Sequence, residues 1–164
     1  AISRRSPGSI LKPFIYAEGK VILWSKNKDF CKKDNWLKSL SSDKLKKIAV
    51  ANPATAPYGT SAMKALGKTG MAGKINDKLV TAQTVAQSFQ YASTGAVDAA
   101  FCALSAAFSG EGKKGCYFEI DEAPPVVQSA CVLKRSVNRD ALEKFTEFLI
   151  SSESKKIKSK YGYK

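Results

Sequence analysis

The chain alternates short apolar runs with segments of helical periodicity. The apolar runs have the length of buried strands, and two of the intervening segments, Gly59–Leu66 and Thr84–Ser93, carry apolar residues at helical spacing. The predicted strands are Lys20–Ser25, Lys47–Ala51, Leu79–Thr81 and Asp98–Leu104. Strands that alternate with helices form β-α-β units, whose parallel sheets are covered by helices on both faces. We therefore predict an α/β fold built on a three-layer lobe with a mostly parallel sheet.

The remaining elements follow from local signals. Asp34 is predicted to cap a short helix, Asn35–Leu40. Gly95 is predicted to end the helix Thr84–Ser93. Ile15–Tyr16 and Lys20–Ser25 are predicted to form one extended stretch around Gly19. The other predicted elements are a loop at Ser109–Gly115, strands at Tyr117–Ile120 and Val126–Leu133, a helix capped by Asn138 and a last helix capped by Ser151 or Ser152. The predicted core comprises Ile48, Val50, Leu66, Leu79, Val85, Phe89, Phe101, Leu104, Val132, Phe145 and Leu149.

Composition excludes several classes of function. The 164 residues include no histidine, which removes Ser-His-Asp and Cys-His catalysis and His-ligated zinc. The four cysteines form no CxxC pair, so a zinc ribbon or a thioredoxin-type site is not expected. The longest apolar run, Ala99–Phe108, is shorter than the roughly 20 residues that cross a bilayer. The net charge of +13 comes mainly from lysines in polar, loop-like or helix-face stretches, with no RNP-like aromatic strand, and we interpret these lysines as solvated faces rather than a nucleic-acid surface.

Two turns that precede helices carry no charge. The stretches Ala49–Met63 and Thr81–Val97 lack charged residues, in a chain in which one residue in four is charged. Each turn leads into a helix, and the sequence places the amides of Tyr58–Ser61 and Val85–Gln87 where they can donate outward. Helix N-termini attract anions. These turns are candidates for an anion site; the alternative is two ordinary capping turns.

Four long stretches resemble one family. "KIAVANPATAPYGTSAMKAL" (Lys47–Leu66) is similar to the signature of periplasmic molybdate-binding proteins, the solute receptors of molybdate ABC transporters. "PFIYAEGKVILWS" (Pro13–Ser25) resembles the first crossing strand of that family, and "TAQTVAQSFQYASTGAVDAAFCALS" (Thr81–Ser105) resembles its second helix-strand unit. "APPVVQSACVLKRSVNRDALEKFTEFLISSESKKIKSKYGY" (Ala123–Tyr163) resembles its return crossing and C-terminal helices. The resemblance covers essentially the whole chain, in order.

The resemblance implies a fold and a function. The fold would be periplasmic-binding-protein-like, with a tetrahedral oxyanion in the cleft between two lobes. The implied ligand is molybdate or tungstate, held by the backbone amides of Tyr58 and Val85, with Pro57, Gly59 and Thr84 as further candidates. The implied role is non-catalytic, without a cofactor or a metal cation, in the periplasm, with delivery to an ABC transporter permease. The membrane would be contacted peripherally at most, and no nucleic acid would be bound.

The chain departs from the family in two respects. Some members add a tyrosine hydroxyl from the strand that matches Ala99–Ser105, and here that position is Ala103, beside Cys102. Members also begin with a further stretch that supplies the first strands of one lobe and two hydroxyl-bearing loops, and nothing here matches it. Ser3, Ser6 and Ser9 are not assigned as ligands. We therefore expect the chain to be a fragment, a split gene product or a processed product. It is expected to bind molybdate weakly or not at all and to self-associate through its C-terminal helices.

The expected domains are an N-terminal arm and first crossing segment (1–19), a complete α/β lobe (20–125), and a return crossing with the C-terminal helices of an incomplete lobe (126–164). Cys102 and Cys131 are predicted to be buried. A disulfide is allowed, but four cysteines permit three pairings. Alternatives to molybdate are sulfate, phosphate, or a sensing domain of a transcriptional regulator; an enzyme or a basic nucleic-acid binder is less favoured.

Overall fold

The computed structural model describes residues 13–164, which form two compact units. The large unit is Gly19–Val126, and the small unit joins the described residues up to Glu18 to Val127–Lys164. Ser3, Ser6 and Ser9, with most of the predicted N-terminal arm, lie outside the described residues. No helix in residues 13–164 combines the length and the apolar character needed to cross a membrane.

Strands and helices alternate through the large unit. In chain order the strands and helices are β1 (Phe14–Gly19), β2 (Val21–Ser25), α1 (Trp36–Leu40), β3 (Ile48–Ala51), α2 (Pro57–Lys68), α3 (Ala72–Ile75), β4 (Leu79–Ala82), α4 (Val85–Thr94), β5 (Ala99–Ala103), α5 (Leu104–Ala107), β6 (Cys116–Glu119), β7 (Val126–Ala130), α6 (Arg139–Ile150) and α7 (Ser152–Lys160). Short 3₁₀ turns occur at Lys28–Lys32, Asn76–Lys78 and Gly112–Lys114.

The large unit is built on a five-stranded sheet in the order β4-β3-β5-β2-β6. β3 pairs in parallel with both β4 and β5, whereas β2 is antiparallel to β5 and β6. Four strands therefore point in one direction, and β2 alone runs against them. This arrangement confirms the predicted α/β class and the mostly parallel sheet. It also places the carboxyl ends of β3, β4 and β5 at one edge of the sheet.

Each face of this sheet carries its own hydrophobic core. Leu23 and Val50 contribute to one cluster, with α1 and α2, whereas Trp24 and Ala49 contribute to the other, with α4. Adjacent strand residues point to opposite faces, so fully buried strands supply both clusters at once. The result is the three-layer arrangement that the continuous apolar runs predicted.

The core prediction is confirmed in the large unit and wrong at one position in the small unit. Five predicted residues are buried: Ile48, Val50, Leu66, Phe101 and Leu104. Five are half-buried: Leu79, Val85, Phe89, Val132 and Leu149. The prediction for Phe145 is wrong, because 57% of its surface is exposed. The amphipathic pattern of α6 identified its apolar face correctly but did not show what covers that face.

Three local predictions can be compared with the structure. Gly95 ends α4 in a left-handed conformation (φ 84°), as predicted. The cap of α1 is Asn35 and not Asp34: the Asn35 side chain accepts from the Lys38 amide at 2.9 Å, while Asp34 pairs with the Lys38 ammonium. Of the three possible cysteine pairings, the structure has one disulfide, Cys31–Cys116.

The two free cysteines differ in burial. Cys102 lies within β5 and is fully buried, as predicted. Cys131 directly follows the end of β7 and is only half-buried. The prediction that Cys131 is buried is therefore wrong, because part of its surface is exposed.

The small unit pairs β1 with β7 and adds α6 and α7. Backbone hydrogen bonds between Glu18 and Lys164 run in both directions, at 2.8 and 3.0 Å. The Lys158 ammonium donates to the carbonyls of Tyr16 and Leu149. These contacts fix the C-terminal residues against β1.

Candidate functional site

The two uncharged turns follow neighbouring parallel strands. β3 ends at Ala51 and β4 at Ala82, and these two residues are paired in register. The pairing continues one residue further, because the Asn52 amide donates to the Ala82 carbonyl at 2.7 Å. Parallel strands lie about 4.8 Å apart, so the turns that leave them start side by side. α2 and α4 therefore begin at the same edge of the sheet, where ligands bind in open α/β folds.

The turn from β3 to α2 is closed by its own polar groups. The Asn52 side chain accepts from the Ala54 amide at 3.0 Å, and the Asn52 carbonyl accepts from the Ala56 amide at 2.8 Å. The Thr60 hydroxyl donates back to the Pro53 carbonyl at 2.7 Å. These hydrogen bonds pair polar groups of the turn with one another and set the direction in which α2 begins.

Gly59 brings the first turn of α2 against the end of β3. A Cβ atom on Gly59 would lie 2.0 Å from the Ala51 carbonyl oxygen and 2.7 Å from the Ala51 carbonyl carbon. Both atoms are backbone atoms of a buried strand and cannot rotate away. Glycine at this position therefore sets how closely the helix N-terminus approaches the sheet.

The turn from β4 to α4 is closed by a reciprocal pair of side chains. The Thr84 hydroxyl accepts from the Gln87 amide at 3.1 Å, and the Gln87 side chain accepts from the Gln83 amide at 2.6 Å. This is a capping-box arrangement, with the glutamine reaching one residue further back than usual. Within residues 13–164 the amides of Val85 and Ala86 have no hydrogen-bond acceptor, and helix geometry directs them outward.

No charged side chain belongs to either turn. The first turns of α2 and α4 contain no acidic residue, and the first charged residue along α2 is the exposed Lys64. The positive ends of the two helix dipoles are therefore not neutralised by side chains of these helices. Such an edge favours an anion held by amides and hydroxyls.

The structure brings all five predicted site residues to this edge. Pro57 is the first residue of α2 and has no amide hydrogen, so it shapes the turn and donates nothing. Tyr58 and Gly59 follow it, and the half-buried Tyr58 ring packs against the core. Thr84 caps α4, and Val85 is its first residue. The role of these residues as ligands stays a prediction.

Three amides in the predicted ranges are already used. Thr60 donates its amide to the Ala56 carbonyl at 3.0 Å, and Gln87 donates its amide to the Thr84 hydroxyl. Ser61 is the fifth residue of α2, so its amide donates within the helix. The outward-directed amides are therefore fewer than the sequence indicated. At the matching end of β5, Ala103 is buried and adds no hydroxyl to this edge, as the sequence indicated.

Sequence reasoning missed the residues that shape the turns. Asn52, Thr60 and Gln87 place the helix starts, and each does so through a hydrogen bond to a main-chain group. The Thr84-x-x-Gln87 spacing is a recognisable capping signal and could have identified one of the two turns. Ser88, buried within α4, donates to the Phe101 carbonyl at 2.8 Å and fixes α4 against β5.

The described residues hold a buried thiol but no cluster of side chains for a metal ion. Burial raises the pKa of the Cys102 thiol, which makes it a poor nucleophile. Within residues 13–164 no cluster of three or more Cys, Asp or Glu side chains could hold a metal ion. The arrangement that remains is a pair of adjacent helix N-termini able to hold an anion.

The family model for bacterial extracellular solute-binding proteins matches residues 5–164. The chain belongs to that family.

Its relatives include proteins named as molybdate-binding. The chain is 34% identical over 157 residues to the molybdate-binding protein ModA of Rhodobacter capsulatus, and 31% identical over 153 residues to ModA of Azotobacter vinelandii. These alignments cover 96% and 92% of this chain but 60% of each relative, so the chain spans about three fifths of the length of these proteins. The solved structure of the Azotobacter vinelandii periplasmic molybdate-binding protein superposes with a TM-score of 0.83 at 29% identity, covering 97% of this chain and 69% of that one.

Proposed function

We propose that this chain binds a tetrahedral oxyanion, molybdate, and performs no reaction on it. One observation carries the proposal: two helix N-termini without charged side chains start from neighbouring parallel strands. The relatives named as molybdate-binding proteins align over nearly the whole chain and support the choice of ligand. Tungstate has the same charge and shape as molybdate, and we propose that it binds at the same edge.

The proposed donors are backbone amides at the two helix starts. Tyr58 and Gly59 would donate from α2, and Val85 and Ala86 from α4. Amides held by a folded backbone are pre-organised, so they bind an anion without reorganising. A contact set that contains no lysine would allow the anion to be released again.

We propose that further donors come from the part of the relatives that this chain does not match. An oxyanion that leaves water needs a partner for each oxygen, because every unmatched oxygen loses hydration without replacement. The same part would cover exposed apolar side chains of the small unit, which are between 38% and 57% exposed: Phe145, Phe148, Ile150, Ile157 and Tyr161. Exposed apolar surface of this kind is typical of an interaction site.

The proposed location is the periplasm, and the proposed partner is an ABC transporter permease. A relative in Bacillus subtilis, 30% identical over 122 residues, is named a putative ABC transporter substrate-binding lipoprotein. The Cys31–Cys116 disulfide is consistent with an oxidising compartment.

The test is a competition titration. Molybdate, tungstate, sulfate and phosphate are each titrated calorimetrically into the chain at one ionic strength, and then sulfate or phosphate is added before molybdate. We expect molybdate and tungstate to bind with similar affinity and to resist displacement. Tighter binding of sulfate or phosphate would reassign the ligand. Absence of heat with all four anions, also after the Rhodobacter capsulatus ModA segment that the chain does not match has been added, would remove the oxyanion proposal.

A further inference from the structure

The large unit has a second candidate site at the opposite edge of its sheet. A cavity of about 680 Å³ is lined by the end of β2, the residues just before β3 and β5, and the 3₁₀ turn at Lys28–Lys32. Ser25 ends β2, Leu45 precedes β3, and Asp98 immediately precedes β5. Because β3 and β5 start at this edge and end at the other, the cavity lies away from the starts of α2 and α4. Its volume falls within the range of small-molecule sites.

The cavity combines an apolar surface with a net positive charge. Phe30, Leu45 and Val97 contribute apolar surface. Four lysines and two aspartates also line it, giving a formal net charge of +2: Lys26, Lys32, Lys33, Lys44, Asp29 and Asp98. This combination suits a molecule with an apolar body and a doubly negative head.

Both carboxylates in the lining already have partners. Asp29 pairs with Lys32 at 2.7 Å, and the Asp98 carboxylate accepts from the amides of Lys46 and Lys47 at 2.8 Å or less. In the part of the chain that the structure describes, Lys26, Lys33 and Lys44 have no carboxylate within ion-pair distance. These three ammonium groups remain available to an anion.

The walls of the cavity are fixed before any ligand arrives. The Cys31–Cys116 disulfide ties the 3₁₀ turn to β6. The buried Ser39 hydroxyl donates to the Phe30 carbonyl at 2.8 Å, and the buried Ser25 hydroxyl donates to the Asp98 carbonyl at 2.7 Å. A cavity whose walls are cross-linked in this way loses little conformational entropy on binding.

We propose that this cavity binds a small organic phosphate monoester, whose apolar body contacts Phe30, Leu45 and Val97 and whose dianionic head is held by Lys26, Lys33 and Lys44. A phosphate monoester carries close to two negative charges at neutral pH, which matches the charge of the lining. Inorganic phosphate has the charge without the body, and an alcohol has the body without the charge. The site is independent of the proposed molybdate site and shares none of its residues.

The experiment compares three probes on the full 164-residue chain. Phenyl phosphate, phenol and inorganic phosphate are titrated separately, with backbone amide NMR shifts used to locate binding. We expect phenyl phosphate to bind with shifts around Phe30 and Leu45, and the other two to bind at least about tenfold more weakly, because each makes only one kind of contact. Equal affinity for phenyl phosphate and inorganic phosphate would overturn the assignment.

A matched pair of variants tests the lysines. Lys33→Gln with Lys44→Gln removes two charges from the cavity, whereas Lys64→Gln with Lys68→Gln removes two from α2, outside the lining. All four lysines are exposed, so we expect both variants to fold with nearly unchanged melting temperatures. The cavity variant should weaken phenyl phosphate binding about tenfold to a hundredfold, and the control less than about twofold. Equal losses in the two variants would show a non-specific charge effect and overturn the proposal.

Two further measurements distinguish this cavity from a membrane-binding surface and from the proposed molybdate site. Vesicles of phosphatidylcholine with phosphatidic acid test for a membrane headgroup; co-sedimentation without saturable phenyl phosphate binding would overturn the small-molecule assignment. Excess molybdate should leave phenyl phosphate bound, and displacement by molybdate would show a single shared site and overturn the proposal of a second one. Failure of molybdate to bind even after the Rhodobacter capsulatus ModA segment has been added would remove the proposed oxyanion function and leave the phenyl phosphate result unaffected.

Discussion

Replacing Gly59 by alanine moves the start of α2 without adding charge or bulk beyond one methyl group. The new Cβ would lie 2.0 Å from the Ala51 carbonyl oxygen. Relief of that contact requires the helix start to shift by roughly 1 Å, because non-bonded carbon and oxygen atoms do not approach much closer than about 3 Å. Overpacking of this kind costs about 1–3 kcal/mol, and the helix propensity of alanine returns about 1 kcal/mol. We expect a net loss of about 1 kcal/mol in the free energy of unfolding.

The same shift separates the α2 amides from a bound anion. A donor that moves by roughly 1 Å from a hydrogen bond of about 2.9 Å leaves hydrogen-bonding range. The loss of one hydrogen bond to a charged group costs about 1.5–3 kcal/mol, which raises the dissociation constant about tenfold to a hundredfold. The effect on binding is therefore expected to be larger than the effect on stability.

Gly67 provides the matched control in the same helix. A Cβ on Gly67 meets nothing within 4 Å, so Gly67→Ala should stabilise the chain by about 0.5–1 kcal/mol and leave molybdate binding unchanged. Melting temperatures are measured for both variants at molybdate concentrations up to tens of millimolar, because ligand-induced stabilisation reports weak binding as well as tight binding. Equal molybdate-induced shifts in Gly59→Ala and Gly67→Ala would refute the assignment of the α2 amides as donors.

Three further predictions concern the caps, the thiols and the apolar surface. Thr84→Ala removes the α4 cap and should cost about 1 kcal/mol in urea unfolding, with Thr84→Ser close to the parent; an unchanged midpoint for Thr84→Ala would contradict the cap. Without reductant, a thiol reagent should label the half-buried Cys131 in the folded chain and should reach Cys102 only after unfolding; rapid labelling of both thiols in the folded state would contradict the burial of Cys102. The isolated chain should bind molybdate weakly and self-associate, whereas adding the Rhodobacter capsulatus ModA segment that it does not match should restore tight binding and a single defined species by light scattering. Tight one-to-one binding by the isolated monomer would contradict that account.

The large unit could be predicted from sequence because its signals are local. Continuous apolar runs such as Ile48–Ala51 predict strands buried on both faces, and the predicted end of α4 at Gly95 coincides with a left-handed residue. The position of the helix starts followed from the order of strands and helices. Their proximity follows from the parallel pairing of β3 with β4, which the alternating pattern favours.

The remaining features depend on contacts that a sequence does not display. The Cys31–Cys116 pairing brings together residues 85 positions apart, and no spacing rule selects it from three possibilities. The helical spacing of apolar residues in α6 predicts that Phe145 is buried, yet its exposure depends on which element packs on α6. The role of Gly59 is equally non-local, because only the nearness of the Ala51 carbonyl reveals why a side chain does not fit.

The helix starts of α2 and α4 present donors that do not titrate. Backbone amides keep their hydrogens across the whole range of pH in which a protein stays folded, unlike lysine or histidine. A receptor that holds its anion in this way would take up no proton and release none on binding, apart from those of the anion itself. Its affinity would then follow the protonation of the anion alone, and would stay constant over the whole pH range in which the anion keeps its charge.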